Sequence, residues 1–243
     1  MKKVRIDKLL LEKGLVRSRE RARALIMAGD VLVDDSPIQK AGTSVDPECE
    51  IRLRRPPHPY VGRGGVKLRG GLDAFGIDPR GMVAADIGSS TGGFTDCLLM
   101  AGAAHVYDVD VDTSQLDWKL RSDSRVTLVE GNARYFEPSW IPVPVDLATI
   151  DVSFISLQKI FPAITGMFVP HGICLALVKP QFELGREKVG KGGIVSDPEL
   201  HREAVAAVRS YGEECGFICL DTCASPITGK EGNQEFFVYL EKS

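Results

Sequence analysis

Two lysines and two carboxylates fall at positions that suit chemistry better than a solvated surface: Lys67, Asp151, Lys179 and Glu235. Lys179 directly follows the apolar run ICLALV. Burying an ammonium there costs free energy unless a carboxylate accompanies it. Asp151 closes the run in ATIDVSF, Glu235 opens QEFFVYLE, and Lys67 lies in VGRGGVKL ahead of the first strong strand pattern. Four such residues can form two structural ion pairs. They can also favour a neutral lysine, because a second ammonium nearby disfavours the charged form, and a neutral lysine accepts protons. The residues alone leave both readings open.

A second group has the character of a nucleotide site. DIGSSTGGFT, residues 86–95, stands where a strand gives way to a helix, with Asp86, Gly88, Ser90, Gly92, Gly93 and Phe94 as candidate contacts. Glycines let the backbone approach a ligand closely, and a helix N-terminus offers free N–H donors. The spacing departs from the G-x-G-x-x-G of nicotinamide sites, and no Gly-Lys-Ser/Thr of a P-loop follows. Asp110, at the end of the next strand, is placed to hold ribose hydroxyls. Asn132, in EGNAR after the third strand, offers an amide to the edge of an adenine. An adenosine-containing ligand without phosphates fits this set better than a dinucleotide.

The elements that must position these residues alternate. MVAADIG, AHVYDVD, RVTLVEG, VDLATIDVSF and GICLALVKP read as strands. Between them TGGFTDCLLMAG, SQLDWKLR and SLQKIFPAITGMF read as helices, and PELHREAVAAVRSYGEECG follows as another. GFICLDT and QEFFVYLE close the chain as strands with no helix between them, so the last strand should run antiparallel. The expected fold is α/β, a Rossmann-like parallel sheet covered by helices on both faces.

The front of the chain is different. Residues 7–13 read as a short helix with Leu9, Leu10 and Leu11 buried and Gly14 as its stop. Ser18 caps a second helix over residues 19–28, whose Ala22, Leu25 and Ile26 face a core. Arg19 and Arg23 sit one turn apart beside that stripe, so both can point at one ligand. VLVDDSPI reads as a strand and turn, and ECEIRLR as a later strand. From Arg52 to Arg69 the chain carries basic residues and no acid, and the first 29 residues are also basic, although the net charge is −3. A basic front ahead of an acidic back suggests nucleic acid docking at the front. Prolines 56, 57 and 59 stiffen the connection, which places a boundary near residue 60.

RIDKLLLEKGLVRSRERARALIMAGDVLVDD resembles the S4 RNA-binding domain, a small α+β unit. The resemblance implies that Lys8, Arg17, Arg19, Arg23 and Arg63 serve RNA binding. VGRGGVKL, DIGSSTGGFTD, NAR, IDVSFISL, VKPQFELGR and SPITGKEGNQEFF together resemble the TlyA, or haemolysin A-like, family of ribosomal-RNA ribose methyltransferases with an FtsJ-like catalytic fold. The resemblance spans nearly the whole chain. It implies an S4-type domain with a Pro-rich linker over residues 1–60 and an FtsJ-like methyltransferase domain over 61–243. It implies S-adenosylmethionine as cofactor, ribosomal RNA or a ribosomal subunit as partner, and Lys67, Asp151, Lys179 and Glu235 as a catalytic tetrad. In that setting Lys179 is the expected base for a ribose 2′-hydroxyl, with Lys67 in support. No metal is required, because the methyl group is already activated. One departure stands out: YDVDVDTSQL carries Asp108, Asp110 and Asp112, where family members have fewer acids and a glycine near 112.

Composition narrows the alternatives. No apolar run reaches the roughly 18 to 20 residues of a membrane span, and the amphipathic start does not read as a signal peptide. The chain is expected in the cytoplasm and away from membranes. Cys215, Cys219 and Cys223 recur every four residues, but they run from a helix end into a strand with no histidine close by, which does not suit zinc. A cytolysin should offer an insertion segment, and none is evident. A non-catalytic RNA-binding assembly factor would have no need of two lysines beside a nucleotide loop. Oligomeric state is left open; the residues do not identify the modified nucleotide, and the resemblance implies a ribosomal cytidine ribose on the small subunit, the large subunit or both.

Overall fold

The computed structural model describes residues 3–16, 18–27, 29–54, 58–229 and 231–243. Arg17, one of the basic residues singled out above, lies outside the described residues, as do Ala28 and the prolines at 56 and 57. The chain divides into two compact units, residues 1–59 and 60–243.

In the first unit β1 (Val4–Arg5) leads into α1 (Ile6–Glu12), followed by α2 (Arg19–Met27). Then come β2 (Val31–Val33), β3 (Ser36–Ile38), β4 (Ser44–Val45) and β5 (Ile51–Leu53). Ser18 Oγ accepts from the Arg21 amide at 3.2 Å, the capping bond its position suggests. Gly14, at φ +69°, lies just past the end of α1 in the left-handed conformation that glycine tolerates. Leu9 and Leu10 are buried, but Leu11 is 39% exposed, because only one face of so short a helix meets the core. β2 and β3 form a hairpin whose two turn residues, Asp34 and Asp35, both have positive φ. That pair of conformations matches the twist of the flanking strands. Ile6, Leu10, Ile26 and Val31 form the centre of this core.

The second unit opens with α3 (Gly64–Phe75) and continues through β6 (Val83–Ile87), α4 (Gly93–Met100), β7 (His105–Asp110), α5 (Trp118–Arg121) and β8 (Val126–Glu130). β9 (Val145–Ile150), α6 (Phe161–Ile164), β10 (Phe168–Val178) and α7 (Pro180–Glu183) follow, and α8 (Pro198–Glu214), β11 (Phe217–Ala224) and β12 (Phe236–Lys242) complete it. Among the described residues these strands make a seven-stranded sheet in the order β11-β12-β10-β9-β6-β7-β8. β12 runs antiparallel to both β10 and β11, and the central pairs are parallel. Strand periodicity divides the core between two faces. Ala85, Ile87, Ala148, Ile150, Ala176 and Val178 pack on one side with Ala204 and Val208 of α8. The alternate residues Ala84, Leu147, Leu175 and Leu177 pack on the other with Leu68 and Leu72 of α3 and Leu98 of α4.

Two expected helices are shorter than their sequence pattern. SQLDWKLR becomes a 3-10 turn at Thr113–Gln115 and the single turn of α5, restarted where Asp117 accepts from the Lys119 amide. SLQKIFPAITGMF breaks into α6 flanked by 3-10 turns, with Pro162 in the first turn of α6. Proline removes a donor and is tolerated at a helix start, not inside one.

Candidate active site

The parallel strands β6, β7, β9 and β10 all end on one edge of the sheet, and the segments that leave this edge carry the candidate residues. Asp151 directly follows β9 and Lys179 directly follows β10. The two form an ion pair at 2.6 Å, with Lys179 almost fully buried. Lys179 Nζ also donates to Ser153 Oγ at 2.8 Å. On β12, Phe236 stands opposite Val178. Continuing that register by one residue brings Glu235 beside Lys179. Glu235 holds Lys67 of α3 at 2.6 Å, and both side chains are buried. Register of an antiparallel pair and the common end of parallel strands thus gather four residues spread over 169 positions, from 67 to 235. Each buried ammonium is compensated by its own carboxylate, which removes the main cost of placing it there.

The glycine loop leaves the same edge. Gly88 (φ +84°) donates to Val109 O at 2.8 Å, and a side chain on it would meet the Asp151 carbonyl at 3.0 Å. Gly92 (φ +91°) caps α4, and a Cβ on it would lie 2.2 Å from Leu120. Gly93 lets α4 approach Gly64 and Gly65 of α3. Ser90, also at positive φ, is exposed and donates its amide to Asp110 Oδ2 at 2.9 Å, while Asp110 Oδ1 accepts from the Asp112 amide at 3.0 Å. Asn132 is exposed and caps the next 3-10 turn by accepting from the Arg134 amide at 3.0 Å.

Two loop residues turn inward. Phe94 is buried beside Phe237, with ring centroids 6.1 Å apart, so only its backbone faces the loop. Asp86 is fully buried and bonds to Thr95 and Thr149. Burial first, and then the neighbouring Asp108, push its carboxyl up to about 8.

The segment after β9 presents a further residue that sequence reasoning passed over. Phe154 is 91% exposed, has φ +63°, and lies 5.2 Å from the Phe182 ring of α7. A bulky residue held in the left-handed region is a strained conformation associated with functional sites. Its one sequence signal is an aromatic residue shortly after the strand-end Asp151, which has no specificity by itself.

The FtsJ-like methyltransferase family model matches residues 60–242, and the S4 domain model matches residues 4–51. The Mycobacterium tuberculosis protein named 16S/23S rRNA (cytidine-2′-O)-methyltransferase TlyA is 43% identical over 98% of this chain and 90% of its own length. The chain belongs to the TlyA family of FtsJ-like methyltransferases. A solved structure from Streptococcus thermophilus that carries a hemolysin name is 43% identical, covers 100% of this chain and 90% of its own, and superposes with a TM-score of 0.79. An S-adenosylmethionine dependent methyltransferase from Mesorhizobium loti shares the fold at 13% identity, over 74% of this chain and 100% of its own, with a TM-score of 0.56.

Within the S4 domain of this TlyA family member, the basic residues are arranged around an acid. Arg5 and Arg19 each reach Asp7 Oδ2 at 2.9 Å, and Arg23 Nε lies 3.8 Å from the same atom. Asp7 itself is fully buried. The arginines therefore converge first on an internal carboxylate, which orders a partly exposed cationic cluster. The hydrogen bond from Arg5, with that from Arg19, holds the Asp7 carboxyl far below the usual range. Lys8 is exposed on α1. Arg63 lies in the FtsJ-like unit, at the start of α3, and donates to Thr228 O at 2.8 Å.

Proposed function

We propose that this protein uses S-adenosylmethionine to methylate a ribose 2′-hydroxyl of a cytidine in ribosomal RNA, with Lys179 as general base. In this reading residues 1–60 bind the RNA, residues 61–243 carry out the transfer, and the protein works on the ribosomal subunits in the cytoplasm. The observation that carries the proposal is the placement of two buried lysine–carboxylate pairs on the sheet edge from which the glycine loop leaves. The activity for which the M. tuberculosis relative is named supports the substrate. No helix among the described residues is long and apolar enough to cross a membrane.

The residues fit the cofactor. The loop offers backbone amides at the α4 N-terminus for a carboxylate, and Asp110 stands at the end of β7 with lone pairs available for ribose hydroxyls. S-adenosylmethionine supplies a methyl group already activated on a sulfonium. Lys179, held by Asp151 and Ser153, is the group placed to take the hydroxyl proton. Lys67, held by Glu235, steers the hydroxyl and balances the negative charge that develops on its oxygen. Much of the rate then comes from alignment of the reacting groups. Phe154 gives the acceptor base an aromatic face beside this site.

Lys179→Ala tests the base. Single-turnover methyl transfer to ribosomal RNA should fall by about 100- to 10,000-fold while donor and RNA binding persist. A rate within a few-fold of wild type would mean that the pair is structural.

A further inference from the structure

Beneath the glycine loop lies a pair of buried acids that the chemistry above does not use. Asp86 of β6 and Asp108 of β7 are register partners on adjacent parallel strands, and both are fully buried. Thr95, in the first turn of α4, sits between them. Its hydroxyl oxygen lies 2.7 Å from Asp86 Oδ2 and 2.9 Å from Asp108 Oδ2. A hydroxyl has one proton to give. With both carboxylates ionised, one of these two contacts would press oxygen against oxygen with no hydrogen between. The other bonds cannot supply one: Asp86 Oδ2 accepts the Thr95 amide at 2.9 Å, Asp86 Oδ1 accepts from Thr149, and Asp108 Oδ1 accepts from Ser89.

We propose that Asp86 and Asp108 share one proton through Thr95 Oγ1, and that this proton clamps the glycine loop in its donor-binding shape. Asp108 bonds at once to Ser89 at the start of the loop and to Thr95 just beyond its end. Losing the proton leaves two buried negative charges on either side of Thr95, and their separation releases both ends of the loop. The second half of the proposal rests on the reading that this loop binds S-adenosylmethionine.

The surroundings favour retention of the proton. Among the described residues neither acid has a cationic partner. The charges facing the pair are Asp151 from β9, already paired with Lys179, and Asp110 from β7, with Glu130 opposite it on β8. Asp96 of α4 is paired with Lys119, and Lys67 of α3 with Glu235. Burial first raises both carboxyls, Asp86 to about 8 and Asp108 to about 6, and the protons belong to the pair. A group whose folded value is raised stabilises the fold at low pH, and that contribution is lost as pH rises through the folded value. The contribution is complete below the unfolded carboxyl value, near 3.9, so stability should fall from about pH 4 to about pH 8 and level off above, by up to about tenfold in the folding equilibrium per pH unit for the shared proton.

The experiment compares the full-length wild type with Asp108→Asn, whose amide can donate to Thr95 and accept from Ser89 without a titrating proton. Denaturant unfolding across about pH 5–9.5 is read without donor, with the stability slope compared between about pH 5 and 8, and S-adenosylhomocysteine affinity is read by calorimetry over the same range. Wild-type stability and affinity should both decline with pH, affinity by at least several-fold, and both profiles should flatten in Asp108→Asn. Equal stability slopes in the two proteins overturn the shared proton. A pH-independent wild-type affinity overturns the clamp. If neither protein binds the ligand at any pH, the donor reading fails, and the stability slopes alone then decide whether the proton is shared.

Discussion

Phe154 combines full exposure, a strained backbone and an aromatic neighbour, and nothing in the packing of the fold demands that combination. A residue that buries almost nothing contributes little to stability, so its removal should be felt at the substrate. Phe154→Ala should leave the melting transition and donor affinity unchanged. It should lower kcat/KM for RNA by about 5- to 150-fold, the equivalent of about 1–3 kcal/mol for one stacked base. Steady-state kinetics on a ribosomal RNA fragment beside donor titrations would check this. A large loss of stability with unchanged kinetics would assign the ring to packing with Phe182 instead.

At the scale of elements, the turn from β6 into α4 depends on Gly92. It holds φ +91°, and a Cβ would fall 2.2 Å from Leu120 and 2.6 Å from Leu116. Gly92→Ala should cost about 2–4 kcal/mol, from backbone strain and overpacking together. Chemical denaturation would show the loss, and donor binding should weaken with it because the same turn shapes the loop. In the first unit α1 and α2 are tied together by Asp7 and its arginines. A carboxyl whose folded value is lowered stabilises the fold above its unfolded value, near 3.9, and that contribution disappears as pH falls through the folded value. Asp7→Asn should lower the stability of this unit at neutral pH by about 2–3 kcal/mol, the scale of charged hydrogen bonds. It should also blunt the unit's loss of stability below about pH 4. Acid titration followed by circular dichroism would read both effects.

At the scale of the whole molecule, the S4 domain and the FtsJ-like methyltransferase domain make separable demands on one chain. The arginines proposed to meet RNA are the ones that hold Asp7, so charge reversal there would confuse binding with folding. Lys8→Gln with Arg23→Gln is the cleaner probe, since Lys8 is exposed and Arg23 lies farthest from Asp7 of the three arginines. RNA affinity should fall, and the slope of log affinity against log salt should flatten by about one for each phosphate that is no longer neutralised. Donor affinity should not change. Filter binding over a salt series would measure the first two, and an unaltered slope would mean that these residues do not touch RNA phosphates.

Local pattern was enough to read the alternating strands and helices, the antiparallel last strand and the S4-like front, because periodicity and turn residues act over a few positions. Ser18 as a cap and Gly14 as a stop belong to that local class. The broken helices around Pro162 and Asp117 show where periodicity overruns what the backbone allows. Pairing was beyond local reach. Lys67, Asp151, Lys179 and Glu235 were visible as misplaced charges, but sheet order and register decide which lysine meets which carboxylate. The same holds for Arg19 and Arg23, which one turn of helix places side by side and which tertiary packing directs onto Asp7. Asp86 and Asp108 lie near the ends of two strands 22 positions apart, where sequence shows only acids near a loop. That they face each other across one hydroxyl follows from strand alignment and from α4 packing over both. A hydrogen-bond inventory is a property of three-dimensional neighbours, and no one-dimensional period encodes it.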